Sequence, residues 1–451
     1  IPDQTGPNRG GRSMARAAEE SLDLQYYIWE TDTTGWLLLD EVRRAAERGV
    51  RVRLLLDDNG IPGLDAELAA LDAMQNIEVR LFNPFVLRHP KPLNYLFDFF
   101  RLNRRMHNKS MTVDGAVTIL GGRNIGDVYF DQGTGPHHFD FDVLVAGPTV
   151  AQVAENFDRY WDSPSAYPAG LILPQPEPGP TTSRIVEAAV REAETLRGSA
   201  YLAAIAASEI VDRLRSDTPD LHWTTLDFLT DDPAKGIGRA TQDQLMVERL
   251  PEIFEGATQS VDLVSAYFIP RERGVRILSD LAARGVRVRV LTNGLASNNV
   301  ASVHSAYMGY RRQLLSAGVE LLELRPDPSV APGSRAFSML AGSPASLHAK
   351  TFAIDGAQAF IGSFNFDPRS AALNSEMGVL IDSPKLASRI TAALDAPELT
   401  YSLELTRDEK IVWRATDADG SVHEFQTEPM TTFHARALVW LGSWLPIEWI
   451  L

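Results

Sequence analysis

The chain has no cysteine in 451 residues. That absence excludes disulfides, thiolate-held zinc and thiol nucleophiles together. It leaves the compartment open, because a Cys-free protein survives on either side of a membrane. Basic residues are in deficit, with 43 Lys and Arg against 59 Asp and Glu and a net charge of -16. Counterion release from nucleic acid needs clustered cations, so nucleic acid is not an expected partner, although a local basic patch can still hold a phosphate. Also missing is any uncharged apolar run approaching the ~20 residues that span a bilayer. The chain starts at Ile1 rather than Met, which is compatible with a signal peptide or anchor ahead of it.

What remains is an ordinary globular composition, 44% hydrophobic and 23% charged, in a chain longer than one core usually serves. An internal repeat organises it. Ser21-Leu22-Asp23-Leu24 opens an aromatic strand through Trp29, followed by a helical stretch from Leu37 to Arg48 and then Gly49-Val50-Arg51-Val52-Arg53-Leu54. Ser260-Val261-Asp262-Leu263 opens a second such strand through Ile269, followed by a helical stretch from Val275 to Arg284 and then Gly285-Val286-Arg287-Val288-Arg289-Val290. Both helices carry apolar residues at helical spacing and end at a Gly suited to a C-cap. Strands alternating with helices predict a duplicated α/β fold, each half a mixed, mostly parallel sheet flanked by helices, with the active site between the halves.

The expected boundaries are 1–165 for the first half, 166–182 for a Pro-rich extended linker and 183–400 for the second half. Residues 401–451 are expected to form a C-terminal hairpin and apolar tail. Pro168, Pro174, Pro176, Pro178 and Pro180 carry the linker reading, since such a stretch continues neither a helix nor a central strand.

A chemical match sits inside the repeat. His107-Asn108-Lys109 is followed by Asp114-Gly115, and His348-Ala349-Lys350 by Asp355-Gly356, at identical spacing. On a strand, residues two apart share a face, so each His projects with its Lys. Asp-Gly then reads as a tight hairpin turn, so Asp114 and Asp355 fit either turn geometry or an electrostatic role at the site. The return strands lead into Gly121-Gly122-Arg123-Asn124 and Gly362-Ser363-Phe364-Asn365. Small residues such as Gly122 and Ser363 permit close approach to a ligand, and Asn124 and Asn365 add donors for a phosphate. A lone His-x-Lys on a strand is usually a half-exposed edge. Two copies in matching places of two repeats point to a shared site.

These motifs resemble the paired HKD motifs of the phospholipase D superfamily. Gly121 to Phe130, Val303 to Leu315, Ile361 to Ser370, Asn374 to Val379 and Trp444 to Leu451 look like its bacterial cardiolipin synthase branch. The resemblance implies phosphodiester exchange through a phosphohistidine. His107 is then the nucleophile, His348 the general acid and later base, and Lys109 and Lys350 the stabilisers of the phosphoryl oxygens. It also implies an orienting carboxylate for each His, supplied by the opposite half. Glu376 matches the family's acidic position, and Asp140 is the first-half candidate with Asp142 as its alternative. No cofactor or metal is called for. Adjacent His137 and His138 point to opposite faces of a strand and make a poor ligand pair.

Two apolar segments suit a lipid substrate and a membrane surface. Leu93, Leu96, Phe97, Phe99 and Phe100 lie among Arg88, Lys91, Arg101, Arg104 and Arg105, and Leu438 to Leu451 includes Trp440, Trp444 and Trp449. A core helix and a buried tail read the same way in sequence. The expectation is a phosphatidyltransferase resembling cardiolipin synthase, peripheral to a bacterial membrane or envelope and acting on phosphatidylglycerol. Hydrolytic phospholipase D is the near alternative and a nucleic-acid phosphodiesterase the remote one. The sequence leaves any protein partner open.

Overall fold

The computed structural model describes residues 10–130, 137–174, 182–206, 221–298, 300–326, 345–417, 419–444 and 448. The first half begins with α1 (Gly10–Ala17), then alternates β1 (Ser21–Tyr26), α2 (Thr33–Glu47), β2 (Arg51–Asp57), α3 (Asp65–Asp72) and β3 (Ile77–Phe82). These three strands are parallel, with Ser21 beside Arg51 and Val52 beside Ile77. After α4 (Tyr95–Leu102) the direction changes. β4 (Ser110–Val113), β5 (Val117–Gly121) and, beyond a short β6 (His137–Phe139), β7 (Asp142–Ala146) run antiparallel on the far side of β1. With α5 (Pro148–Trp161) and β8 (Ala166–Pro168), the described residues form a seven-stranded sheet of order β7-β5-β4-β1-β2-β3-β8. The sheet is therefore mixed, parallel only through its middle.

The strand pattern explains the layers. Successive residues face opposite sides, so Val52, Leu54 and Leu56 of β2 join the core under α2 and α3, while Leu55 joins Phe157, Tyr160 and Trp161 of α5. α2 starts a turn earlier than its apolar spacing indicates. Asp32 caps it by accepting from the Gly35 amide at 3.0 Å, and Gly49 at φ 98° ends it.

Residues 166–182 depart from the expected extended linker. Ala166–Pro168 pairs antiparallel with β3 at the sheet edge, where the missing N–H of Pro168 is harmless, and Ala169 and Leu173 are buried in the first core. Residues 175–181 lie outside the described residues. The helices α6 (Ser183–Ala193) and α7 (Leu196–Ala206), assigned from sequence to the second half, pack on the first: Ala189, Tyr201 and Ile205 cluster with Leu37 of α2. As a packing unit the first half extends beyond residue 183.

The second half repeats the plan. β9 (Leu226–Thr230) and α8 (Leu250–Glu255) lead into β10 (Ser260–Ser265), α9 (Arg271–Ala283), β11 (Arg287–Asn293), α10 (Ala301–Ser316) and β12 (Glu320–Leu324). A short β13 (Ala345–Leu347) precedes β14 (Lys350–Ile354), β15 (Gln358–Gly362), α11 (Pro368–Ala372), β16 (Met377–Asp382) and α12 (Pro384–Leu394). β17 (Thr400–Leu405), β18 (Ile411–Thr416) and β19 (Val422–Phe425) then extend the sheet from β12, so the C-terminal hairpin is part of the second half. α13 (Phe433–Gly442) follows. The duplication reaches single side chains: Arg53 Nε donates to Asp23 across β1-β2 and Arg289 Nε to Asp262 across β10-β11, both at 2.7 Å.

Candidate active site

Backbone pairing between the halves builds the site. Met106 pairs in parallel with Ser375: the His107 amide donates to the Ser375 carbonyl and the Ser375 amide to the Arg105 carbonyl, each at 2.9 Å. This sets Glu376 beside His107, with Oε2 2.8 Å from Nδ1. On the other side β6 and β13 pair in parallel, and the His348 amide donates to the Phe139 carbonyl at 2.9 Å. That sets Asp140 Oδ2 2.5 Å from His348 Nδ1. Each acid thus contacts the histidine of the opposite half. Asp142 faces Arg123 instead, at 3.2 Å.

Burial then sets protonation. It lowers the His107 ring to about 4, opposed by Glu376 and assisted by Lys109 and Lys350. Burial works on Glu376 in the other direction, yet His107, Lys109 and a hydrogen bond from Ser363 hold its carboxyl below the usual range. The resulting pair is a neutral imidazole whose Nδ1–H points at an ionised carboxylate, which leaves Nε2 unprotonated. Lys109 donates to the His107 carbonyl at 2.5 Å and is lowered to about 7, chiefly by burial. Lys350 is also lowered by burial, against the pull of Asp140 and Glu376. Asp140 is raised because burial outweighs Lys350 and Arg123. Two desolvated lysine amines thus sit beside two histidines, a cluster with the donors and positive charge to hold an anion.

The small residues after the return strands make room for the acids. A Cβ built on Gly122 falls 2.2 Å from Asp140 Oδ1, so only glycine fits there. In the matching place the Ser363 hydroxyl donates to Glu376 Oε2 at 2.5 Å and accepts from the Met377 amide at 3.0 Å. Asn124 differs from its expected role. Its Oδ1 accepts from the Ile28 amide and its Nδ2 donates to the Tyr129 hydroxyl, so the side chain braces Tyr129, whose ring packs edge-to-face with His348 at 5.1 Å between ring centres. Asn365 keeps a buried Oδ1 with no hydrogen-bond partner.

Asp114 and Asp355 stand in hairpin turns at φ 52°. Asp114 accepts from the Glu19, Glu20 and Ser21 amides, and Asp355 from those of Thr258, Gln259 and Ser260. They tie the hairpin to the start of β1 or β10, at the strand end away from the histidines. The turn reading is the one the geometry supports, and the electrostatic role is corrected accordingly.

The apolar segments are exposed: Leu96 is 75%, Phe97 82%, Phe100 77% and Trp444 74% accessible, while Phe99 packs against Tyr95 and Phe100. The basic frame around α4 is spent internally, however. Arg88 and Lys91 pair with Asp58, Arg101 with Asp98 and Arg105 with Asp57. Trp449 lies outside the described residues. Among those residues no group of three or more metal-ligating side chains occurs, and no helix is long and apolar enough to cross a membrane.

Sequence reasoning missed Tyr27, Asp57, Asp231 and Lys235. The Tyr27 ring packs edge-to-face with His107 at 5.0 Å between ring centres, and Lys109 Nζ lies over it, 5.4 Å from its centre. Asp57 accepts from Arg105 at 2.9 Å and from the Met106 amide at 2.8 Å. Tyr27 had a weak signal in the aromatic strand; a lone Asp at a strand end carries none.

Two α/β halves that exchange acids across paired His-x-Lys strands define a phospholipase D-type domain pair. A family model described as cardiolipin synthase, PLD-like domain, matches residues 12–161 and 250–396, both halves in turn. The chain belongs to that family. It is 46% identical over 442 residues to cardiolipin synthase C of Escherichia coli (strain K12), covering 97% of this chain and 92% of the relative. It is 26% identical over 400 residues to cardiolipin synthase A of Pseudomonas entomophila (strain L48), covering 87% and 66% respectively. Among solved structures, phosphatidylserine synthase of Haemophilus influenzae Rd KW20 superposes with a TM-score of 0.60 at 14% identity, covering 90% of this chain and 87% of that one; this supports the fold.

Proposed function

We propose that the protein is a phosphatidyltransferase that joins a phosphatidyl group to the glycerol hydroxyl of phosphatidylglycerol, forming cardiolipin. The crossed pairs His107–Glu376 and His348–Asp140, each with a buried Lys alongside, carry the reading. Similarity to cardiolipin synthase C of Escherichia coli supplies the acceptor.

The reaction takes two displacements. His107 Nε2 bonds to phosphorus as the bond to the donor headgroup oxygen breaks, and the protonated His348 gives its proton to that leaving oxygen. His348, now neutral, takes the proton of the acceptor hydroxyl, whose oxygen bonds to phosphorus as the bond to His107 breaks. Lys109 and Lys350 neutralise charge on the non-bridging oxygens in both steps. Glu376 stabilises the cationic ring of the intermediate.

The enzyme works at a bilayer surface, to which the exposed Leu96, Phe97 and Phe100 of α4 dock. Because four of the five surrounding cations are paired with carboxylates and Arg104 donates to backbone carbonyls, apolar insertion rather than headgroup charge contributes most. Phe97→Asp with Phe100→Asp is expected to weaken vesicle binding while turnover of a short-chain soluble donor is retained.

The deciding assay is lipid mass analysis after incubation with phosphatidylglycerol vesicles, with and without phosphatidylethanolamine, beside His107→Ala. Cardiolipin from the wild type alone supports transfer, and dependence on phosphatidylethanolamine names the donor. Phosphatidic acid alone makes water the acceptor and overturns transfer. No product from either lipid overturns the phospholipid reading.

A further inference from the structure

Between the halves lies a segment that neither HKD motif contains. Asp231 follows β9 directly and is completely buried. Its amide donates to the Glu376 carbonyl at 3.0 Å, continuing the β9-β16 ladder by one residue. Its side chain then takes over: Oδ2 accepts from the Glu376 amide at 2.8 Å and Oδ1 from the Met246 amide at 2.8 Å. The Asp231 carbonyl is turned to the Tyr160 hydroxyl of α5 at 2.9 Å. Glu376 is therefore gripped by its backbone through Asp231 and by its carboxylate through His107 and Ser363.

Lys235, 2% exposed, completes the arrangement. Its ammonium donates to Asp231 Oδ2 at 2.7 Å and to the Ser370 carbonyl at 2.8 Å. Ser370 belongs to the first turn of α11, and its hydroxyl accepts from the Asn365 amide at 3.3 Å. One buried cation thus bridges the residue that anchors Glu376 and the loop that carries Asn365. The segment is packed closely against the first half. A Cβ on the neighbouring Gly236 falls 2.5 Å from the Phe82 ring, and the Gly236 carbonyl accepts from Asn83 of the first half at 2.9 Å.

We propose that Asp231 and Lys235 are a positioning pair for the transfer reaction, fixing Glu376, and through it His107, relative to the Asn365 loop. They touch no reacting atom. This rests on His107 being the nucleophile of the function proposed above. A buried ion pair often contributes little net stability, so its position between two parts of the site is better explained by alignment than by folding energy. On the His348 side the β6-β13 ladder and Arg123 do the holding: Arg123 donates to the Asp140 carbonyl and pairs with Asp142.

The test is the double variant Asp231→Asn/Lys235→Met, which removes both charges and leaves no unpaired ion, with Lys235→Met alone as the second variant. In the single variant Asp231 takes up a proton rather than remain an isolated buried anion. Melting curves establish that each is folded. Two readouts follow: kcat and KM for vesicle turnover, and the low-field proton resonance of His107 Nδ1–H, assigned by its loss in His107→Ala. The expected result is a ~10- to 100-fold fall in kcat with KM changed less than about twofold, as for a small misplacement of a reacting group. The low-field resonance shifts or broadens with it. A folded variant with wild-type kcat and an unmoved resonance overturns the proposal. Wild type lacking transfer activity overturns the functional reading instead, and the resonance still reports on whether the pair positions His107.

Discussion

Replacing Glu376 by Gln isolates the charge of the orienting acid. Gln keeps the volume and an accepting oxygen for the Nδ1–H now 2.8 Å from Oε2. What it removes is the negative charge beside a ring that becomes cationic when Nε2 bonds to phosphorus. Taking ~4 Å between charge centres and an effective dielectric of about 20, the lost attraction is about 4 kcal/mol. At about 1.4 kcal/mol per decade this corresponds to a ~10³-fold fall in kcat, with KM little changed because the ground-state ring is neutral. The assay is initial cardiolipin formation on vesicles at saturating lipid, with alkali-quenched phosphoenzyme followed in the first turnover. The phosphoenzyme is expected to form ~10³-fold more slowly. A fall of less than ~10-fold, or an effect confined to KM, refutes the assignment of Glu376 as stabiliser of a cationic intermediate. The pH response has a sign as well. Glu376 raises a His107 pKa that burial has taken to about 4, so its loss moves the acid limb of kcat/KM to lower pH.

Three further outcomes separate site from scaffold. Asp114→Ala and Asp355→Ala each leave three turn amides without their acceptor; melting should fall by the equivalent of ~1–3 kcal/mol while kcat of the folded enzyme stays within about twofold. Gly122→Ala drives a methyl into Asp140, so kcat should drop by at least about tenfold as the acid leaves His348, and an unchanged rate counts against Asp140 as orienter. Lys109, lowered to about 7, is charged below that pH and neutral above it, so kcat/KM of the free enzyme should decline as pH rises through about 7. Lys109→Arg keeps its charge and should move that limb upward at a lower absolute rate; a limb that stays put assigns it to another group.

Much was legible in the chain because it is written twice. Two copies of strand, helix and strand fixed the α/β class, and two His-x-Lys spacings marked the chemistry without any tertiary information. These are local signals: period-two strands, Gly C-caps and a two-residue offset that puts both side chains on one face. The same locality misled where a residue's meaning depends on a neighbour far along the chain. Asp114 and Asp355 share a motif with the His and Lys pairs, yet the strand carries them to its opposite end, where they bind amides about 95 residues earlier. Pro168 reads as linker until β3 supplies an edge for it, and α6 reads as the start of the second half until Leu37 receives its apolar face.

The family resemblance implied that each acid serves the histidine of the opposite half; only the tertiary structure decided for Asp140 over Asp142 and how the acids reach the rings. Glu376 lies 269 positions from His107 and Asp140 lies 208 from His348, and no periodicity connects them. The strand pairing between halves does, and burial then turns ordinary side chains into a neutral imidazole, an ionised partner and amines that give up their protons more readily. Protonation in this site follows from desolvation, a property of the folded interior that no spacing in the sequence records.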